Sequence, residues 1–186
     1  MTVEIKGTTV RDTLQGLGSR LGRDRCERLL GLLDADSQRM FRERIIASQW
    51  YPLDPFTRLL EADIREHDQG DPSALTKRSE VIFEKQLSGI YRMFILVGSP
   101  ESLIHRIAAA HATYFRGTQV EVASCERGEA LVRYTGFEAH HWILDHAIIG
   151  FHRKGLELSG AHAVEARIAT PIRQGKGYSE IALSWA

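Results

Sequence analysis

The stretch EAHHWILDHAIIGFHRKGLELSG, residues 138–160, decides the fold. It is long enough for a helix of about six turns. Trp142, Ile143, Ala147, Ile148, Ile149 and Phe151 fill its middle, and Lys154, Gly155 and Gly160 suit a helix C-terminus. A β-rich segment flanks it on each side. TQVEVASCERGEALVRYTG, 118–136, holds two alternating runs joined at Glu126-Arg127-Gly128-Glu129, and AHAVEARIATPIRQGKGYSEIALSWA, 161–186, holds two more joined through Arg173-Gln174-Gly175-Lys176-Gly177. The pattern predicts antiparallel strands near 118–125, 130–135, 161–170 and 178–184, with a helix over 138–158 connecting the two hairpins and covering one face. Val120, Val122 and Leu131, with Val164, Ile168, Ile181 and Leu183, would supply the inward side.

The preceding half reads mainly as helix. VEIKGTTV, 3–10, alternates and is β-branched, which predicts a short strand joining or flanking the sheet. Asp24 leads into RCERLLGLLD, and Ser37 leads into QRMFRERIIAS with Met40, Phe41, Ile45 and Ile46 at helical spacing. Trp50-Tyr51-Pro52-Leu53-Asp54-Pro55 breaks the pattern, with Asp54 as cap and Pro55 in the first turn of the next helix. Gly70-Asp71-Pro72-Ser73 is a second break. It opens a long periodic segment to Val97, striped by Leu75, Ile82, Phe83, Leu87, Ile90, Tyr91, Phe94 and Ile95. Ser99 and Pro100 then start a helix that runs to Phe115. Clustered strands after a helical half predict one α+β domain over 1–186, helical over about 11–116 and sheet plus long helix over about 117–186. A doubly wound parallel sheet is disfavoured.

Composition narrows the function classes. Basic and acidic residues balance at 24 each, which removes the electrostatic footprint of nucleic-acid binding. Cys26 and Cys125 share no ligand spacing, so the expectation is a reducing compartment without structural zinc. No apolar run reaches a membrane span and the first residues lack the apolar core of a signal peptide, so the expected location is cytoplasmic.

From about Gly7 to Trp185 the chain resembles a family of domains of unknown function abundant in myxobacteria. The resemblance is carried by the GTTV start, Trp50-Tyr51-Pro52, Val97-Gly98-Ser99-Pro100, Tyr114-Phe115-Arg116-Gly117 and the GYSEIALSW ending. The second half is also similar to a wider group containing 4-vinyl reductase domains, TRAPP trafficking subunits and heme nitric-oxide/oxygen-binding domains. That resemblance implies a long helix against a four-stranded antiparallel sheet, and a hydrophobic ligand or protein partner between sheet and helices, without enzymatic chemistry. Heme-binding members would carry a proximal histidine before the sheet and a Tyr-x-Ser-x-Arg clamp for the propionates. Here Tyr134 is followed by Thr135, Gly136, Phe137 and Glu138, an acid that would repel a propionate, and the ligand position falls near Ala108 with His105 and His111 to either side. The reductase-type cysteine cluster is replaced by Thr170, Gly175 and Ser179. No cofactor and no metal are therefore expected.

Eight histidines are many for this length, yet only His141 and Asp145 have the i, i+4 spacing of a ligand or acid-base pair. No nucleophile-elbow context accompanies them, and Gly175-Lys176-Gly177 reads as a turn rather than a phosphate loop, so no catalytic residue is assigned. The leading expectation is a non-catalytic sensory or ligand-binding module for a small, largely apolar molecule. Its site would be formed by Phe83, Leu87, Tyr91, Phe94, Leu103, His111, Tyr114 and Trp142, with His111 and Tyr114 orienting one polar end. The alternative is a protein-interaction module, a homodimer or adaptor of TRAPP-like type.

Overall fold

The computed structural model describes residues 2–87 and 98–186, without the side chains of Gln86 and Leu87. Two antiparallel sheets organise the described residues. β1 (Glu4–Lys6) lies between β2 (Trp50–Pro52) and β3 (Phe115–Arg116) in a small sheet. The larger sheet has the order β4-β5-β7-β6, built from β4 (Gln119–Glu126), β5 (Glu129–Thr135), β6 (Glu165–Thr170) and β7 (Tyr178–Ser184). Both expected hairpins are present, and the connection between them is a 3-10 turn, Ala139–His141, followed by a helix, Leu144–Leu158. The α+β architecture with a long helix between two hairpins is therefore the observed one.

Register pairs Val120 with Tyr134, Val122 with Val132 and Ile168 with Ile181, so these share the inward face. Leu131 is a correction. Ala130, Val132 and Tyr134 are the buried residues of β5, which turns Leu131 to the opposite face with Arg133. There Arg133 bonds Glu180 through Nε (3.0 Å) and Nη2 (2.8 Å), and Glu121 through Nη1 (3.0 Å). β6 also starts later than expected, because Ala163 takes a positive φ of 48° and His162 pairs with Ala186 instead.

The helices are α1 (Gly7–Leu21), α2 (Arg23–Gly31), α3 (Ala35–Arg42), α4 (Leu53–His67), α5 (Ser73–Leu87), α6 (Pro100–His105), α7 (Ile107–Tyr114) and α8 (Leu144–Leu158). Four expectations are corrected. The strand over 3–10 stops at Lys6 and lies in the small sheet, and the GTTV segment begins α1. A Cβ on Gly7 would sit 2.1 Å from the Ile46 carbonyl oxygen, so only glycine lets residues 46–49 wrap the start of α1, where Gly7 N donates to Gln49 O (2.9 Å) and Thr8 Oγ1 to Ala47 O (3.1 Å). That wrapping needs extended chain, so α3 ends at Arg42, with Glu43 at ψ 159°, and Ile45 and Ile46 are not helical. The helix expected from Ser99 to Phe115 divides at Arg106, whose N–H bonds Leu103 O at 2.9 Å in an i→i−3 turn. Ser99 caps α6 as expected, accepting from Ser102 N. Asp54 caps nothing: α4 starts at Leu53, whose N–H goes to Val3 O (2.9 Å), and the Asp54 carboxylate turns to two histidines.

α8 crosses α5 closely at Gly150, where an added Cβ would lie 2.3 Å from Thr76 O, and Thr76 Oγ1 donates to His146 O at 3.1 Å. One buried apolar cluster runs from Val3 and Ile5 through α4 and α8 to Ile181 and Leu183. No helix among the described residues is long and apolar enough to cross a membrane.

Candidate functional site

A cavity of about 410 Å³ lies between α1, α4, α5, α7 and α8, which is within the size range of small-molecule sites. α1 supplies Thr9, Thr13, Gly16, Leu17 and Arg20, one face of the helix at i, i+4, i+7, i+8 and i+11. α8 supplies Leu144, Ala147, Ile148 and Phe151 from the opposite side, and Ile5, Phe56, Leu60 and Tyr134 close the interior end. Gly16, Arg20, Lys77 and Val81 are solvent-exposed and mark the mouth between α1 and α5.

Of the expected site residues, Phe83, His111 and Tyr114 line this cavity. Phe83 packs on Phe151 with ring centroids 4.2 Å apart. Leu103 is buried against Gly155 on another side of α8, and Trp142 is half-buried at the edge of the core, with the Arg173 guanidinium 4.2 Å from its ring centroid and the cavity lined without it. The placement of Trp142 follows from the junction of the 3-10 turn with α8, which starts the helix at Leu144 and so turns Leu144, Ala147, Ile148 and Phe151 inward. The Leu87 side chain, Tyr91 and Phe94 lie outside the described residues. The residues of α1 were missed because β-branched GTTV suggests strand, although the spacing of Thr9, Thr13, Leu17 and Arg20 was the available signal.

The polar groups differ between the two ends. At the interior, His111 is buried, stacks on Phe115 (4.9 Å, 19°), and places Nε2 2.7 Å from Thr118 Oγ1. Burial depresses its pKa to about 4, so it is neutral at physiological pH. Tyr134 Oη and His152 Nε2 are 2.7 Å apart, both sealed from solvent; burial raises the phenol's pKa and lowers that of His152 to about 3, helped by nearby His111. The Thr9 hydroxyl is buried with no hydrogen-bond partner. Toward the mouth, Arg20 Nη2 reaches both oxygens of buried Asp63 at 2.6 Å, and Arg78 Nη1 reaches Asp63 Oδ2 at 2.6 Å while its Nη2 holds Asp68. His67 Nδ1 adds a contact to Asp63 at 3.0 Å.

His105 and Ala108 are exposed, and neither borders the cavity. His111 borders it, but its Nε2 is engaged by Thr118. The Tyr134 phenol is closed onto His152, and the Glu138 carboxylate is 69% exposed at the start of the 3-10 turn. These residues do not fit a heme clamp.

Among the described residues one trio, Asp54, His140 and His141, lies close enough to suggest a metal. His141, expected to pair with Asp145, instead puts Nε2 2.8 Å from Asp54 Oδ1, and His140 Nε2 is 3.2 Å from the same oxygen. Asp145 accepts from Ile172 N at 2.9 Å, and burial raises its pKa to about 6. The Glu138 backbone N–H donates to His141 Nδ1 at 3.0 Å, so that nitrogen carries the lone pair and Nε2 carries the proton. A histidine ligating through Nε2 needs an acceptor at Nδ1, and here a donor stands there. The trio is a hydrogen-bonded strut between α4 and the turn before α8. Burial pushes the Asp54 carboxyl up, but the bonds from His141 and His140 outweigh it and hold it low.

No protein-family model matches the chain, and no curated protein matches it. Solved structures do. An H-NOX protein from K. algicida, Fe(II) and unliganded, aligns with a TM-score of 0.77 at 13% identity, over 97% of this chain and 96% of that one. An H-NOX protein from S. oneidensis in the Fe(II)NO ligation state aligns at 0.74 with 9% identity, over 97% and 99%. A further H-NOX structure, from work on heme distortion, aligns at 0.68 with 11% identity, over 97% and 94%. At such identity the likeness establishes the fold, and the chain is similar to these proteins along nearly its whole length.

Proposed function

We propose that this chain is a non-catalytic, sensory-type ligand-binding module for a small, largely apolar molecule. The observation that carries the reading is the cavity of about 410 Å³ bounded by Phe83, Tyr114, Leu144, Ile148 and Phe151. A void walled by such side chains forfeits dispersion contacts that a guest restores, at roughly 25 cal/mol per Å² of apolar area removed from water. The likeness to H-NOX proteins supports a sensor over an enzyme, and the hydrogen bonds that engage His111 Nε2 and the Tyr134 hydroxyl favour an organic guest over heme. Leu87, Tyr91 and Phe94 belong to the proposed site through their place on the same stripe as Phe83.

Native mass spectrometry of the purified protein, followed by solvent extraction, tests this reading. The expected result is a bound apolar compound, or a thermal shift with members of a panel of fatty and aromatic acids. A protein that carries nothing and responds to none of them would refute it.

A further inference from the structure

The cavity is asymmetric along α1. Thr9 and Arg20 are eleven residues apart on one helix, a separation of about 16 Å at 1.5 Å per residue. At the Thr9 end the walls are Ile5, Phe115 and Tyr134, and the Thr9 hydroxyl is buried without a partner. At the Arg20 end the lining cations are Arg20, Lys77 and Arg78, and the two guanidiniums are matched by Asp63 and by Asp68, which Arg78 also holds, so Lys77 is the charge in excess. Asp63 is buried and fixes both guanidiniums, and Arg20 meets it through Nη2 only, so the Nε and Nη1 donors of Arg20 are oriented but not spent on Asp63. Lys77 is exposed at the mouth and makes no ion pair among the described residues.

On these grounds we infer that the ligand is an elongated amphiphile, a medium-chain carboxylate, with its acyl chain along α1 and its anionic head at Arg20 and Lys77. Thr9 donates to any oxygen carried near the far end of the chain, which distinguishes hydroxylated or oxo acids from simple ones. The inference rests on the apolar-ligand reading above. The polarity of the two ends adds to that reading: the mouth attracts an anion by charge, while the polar groups that line the interior, the Thr9 hydroxyl and the His111 imidazole among them, are uncharged.

Titration calorimetry with dodecanoate, dodecanol and dodecylammonium on the full chain and on Lys77→Glu and Arg20→Gln tests it. The expected order is dodecanoate tightest, with dodecanol weaker by roughly tenfold or more, as loss of a charge-assisted contact implies, and dodecylammonium weakest. Lys77→Glu, which changes an exposed side chain, should weaken dodecanoate far more than dodecanol and so erase the preference for the carboxylate. Thr9→Val should weaken 12-hydroxydodecanoate to the level of dodecanoate. Equal binding of dodecanoate and dodecanol, unaffected by Lys77→Glu, would overturn the head-group assignment and leave the apolar-ligand reading intact. Binding of none of the three would overturn both.

Discussion

Tyr134 on β5 and His152 on α8 hold each other across the sheet–helix interface, with Oη and Nε2 2.7 Å apart and neither side chain open to water. Each would be a buried unpaired polar group without the other, so the contact fixes how α8 sits on the sheet. Tyr134→Phe is expected to cost about 1–3 kcal/mol by stranding the imidazole nitrogen. The double variant Tyr134→Phe, His152→Leu should recover part of that loss, and urea unfolding in a double-mutant cycle measures the coupling. Additive losses would refute the pairing as a stabilising contact.

Acid should destabilise the fold from near neutrality. His111 and His152 have pKa values lowered to about 4 and about 3 in the native state, against 6.5 when unfolded. Below pH 6.5 the unfolded chain gains protons that the folded chain refuses, so stability is full above 6.5 and falls as pH drops toward 4. Each histidine contributes on the order of 3 kcal/mol over that range. Asp145 acts with the opposite sign, because its native pKa of about 6 lets the folded chain hold a proton that the unfolded one releases down to about 3.8, which offsets part of the loss. Urea midpoints from pH 8 to pH 4.5 should fall mainly below 6.5, and less steeply in His111→Gln. A flat profile would contradict the burial of both imidazoles.

Two glycines on different helices should respond in opposite directions to alanine. At Gly150 the new Cβ would meet Thr76 O at 2.3 Å and Ser79 Cβ at 2.9 Å, so α5 and α8 must part, and a loss of about 1–3 kcal/mol outweighs the helix-propensity gain. At Gly18 on α1 nothing lies within 4 Å, and alanine should stabilise by roughly 0.5–1 kcal/mol. Thermal unfolding of the two single variants checks the pair, and a stabilising Gly150→Ala would mean the helices cross less closely than described.

The hairpins were legible because alternation is a local property, and the glycine at 128, with φ 83°, marks a turn wherever the strands pair. The face of β5 was harder, since Ala130, Leu131 and Val132 are all apolar and parity is settled only by Tyr134 meeting His152. The cavity was half legible: Phe83, His111 and Tyr114 lie on stripes that point to the interior. The α1 wall was hidden, because its helix depends on Gly7 fitting beneath the Ile46 carbonyl, 39 positions away in sequence. Asp54 and His141 are likewise separated by 87 positions, so no local spacing announces their contact.

Zinc should not bind the trio of Asp54, His140 and His141, despite the close approach of its three ligand atoms. Ligation through His141 Nε2 would shift its proton to Nδ1, which faces the Glu138 N–H at 3.0 Å, and would break the bond that starts the 3-10 turn. Equimolar zinc should leave the melting temperature unchanged, and metal analysis after dialysis should find no stoichiometric zinc. A zinc-dependent rise in melting temperature that His140→Ala abolishes would show that the turn can rearrange.

Filling the cavity separates an open void from a packed core most directly. Ala147 borders the space from α8, one turn from both Ile143 and Phe151, and a leucine there adds apolar atoms where the structure has room. Ala147→Leu should raise stability in the absence of ligand by about 0.5–2 kcal/mol, the usual yield of filling a cavity. The same leucine occupies the path along α1 that a guest would need, so any thermal shift caused by dodecanoate should disappear. Phe83→Ala provides the reverse change: next to an existing void it should cost less than the about 3–5 kcal/mol of a phenylalanine removed from close-packed core. Leucine at 147 that costs about 1–3 kcal/mol, as overpacking does, together with a full core-type loss for Phe83→Ala, would mean that the space is closed in solution and that the chain acts through its surface instead.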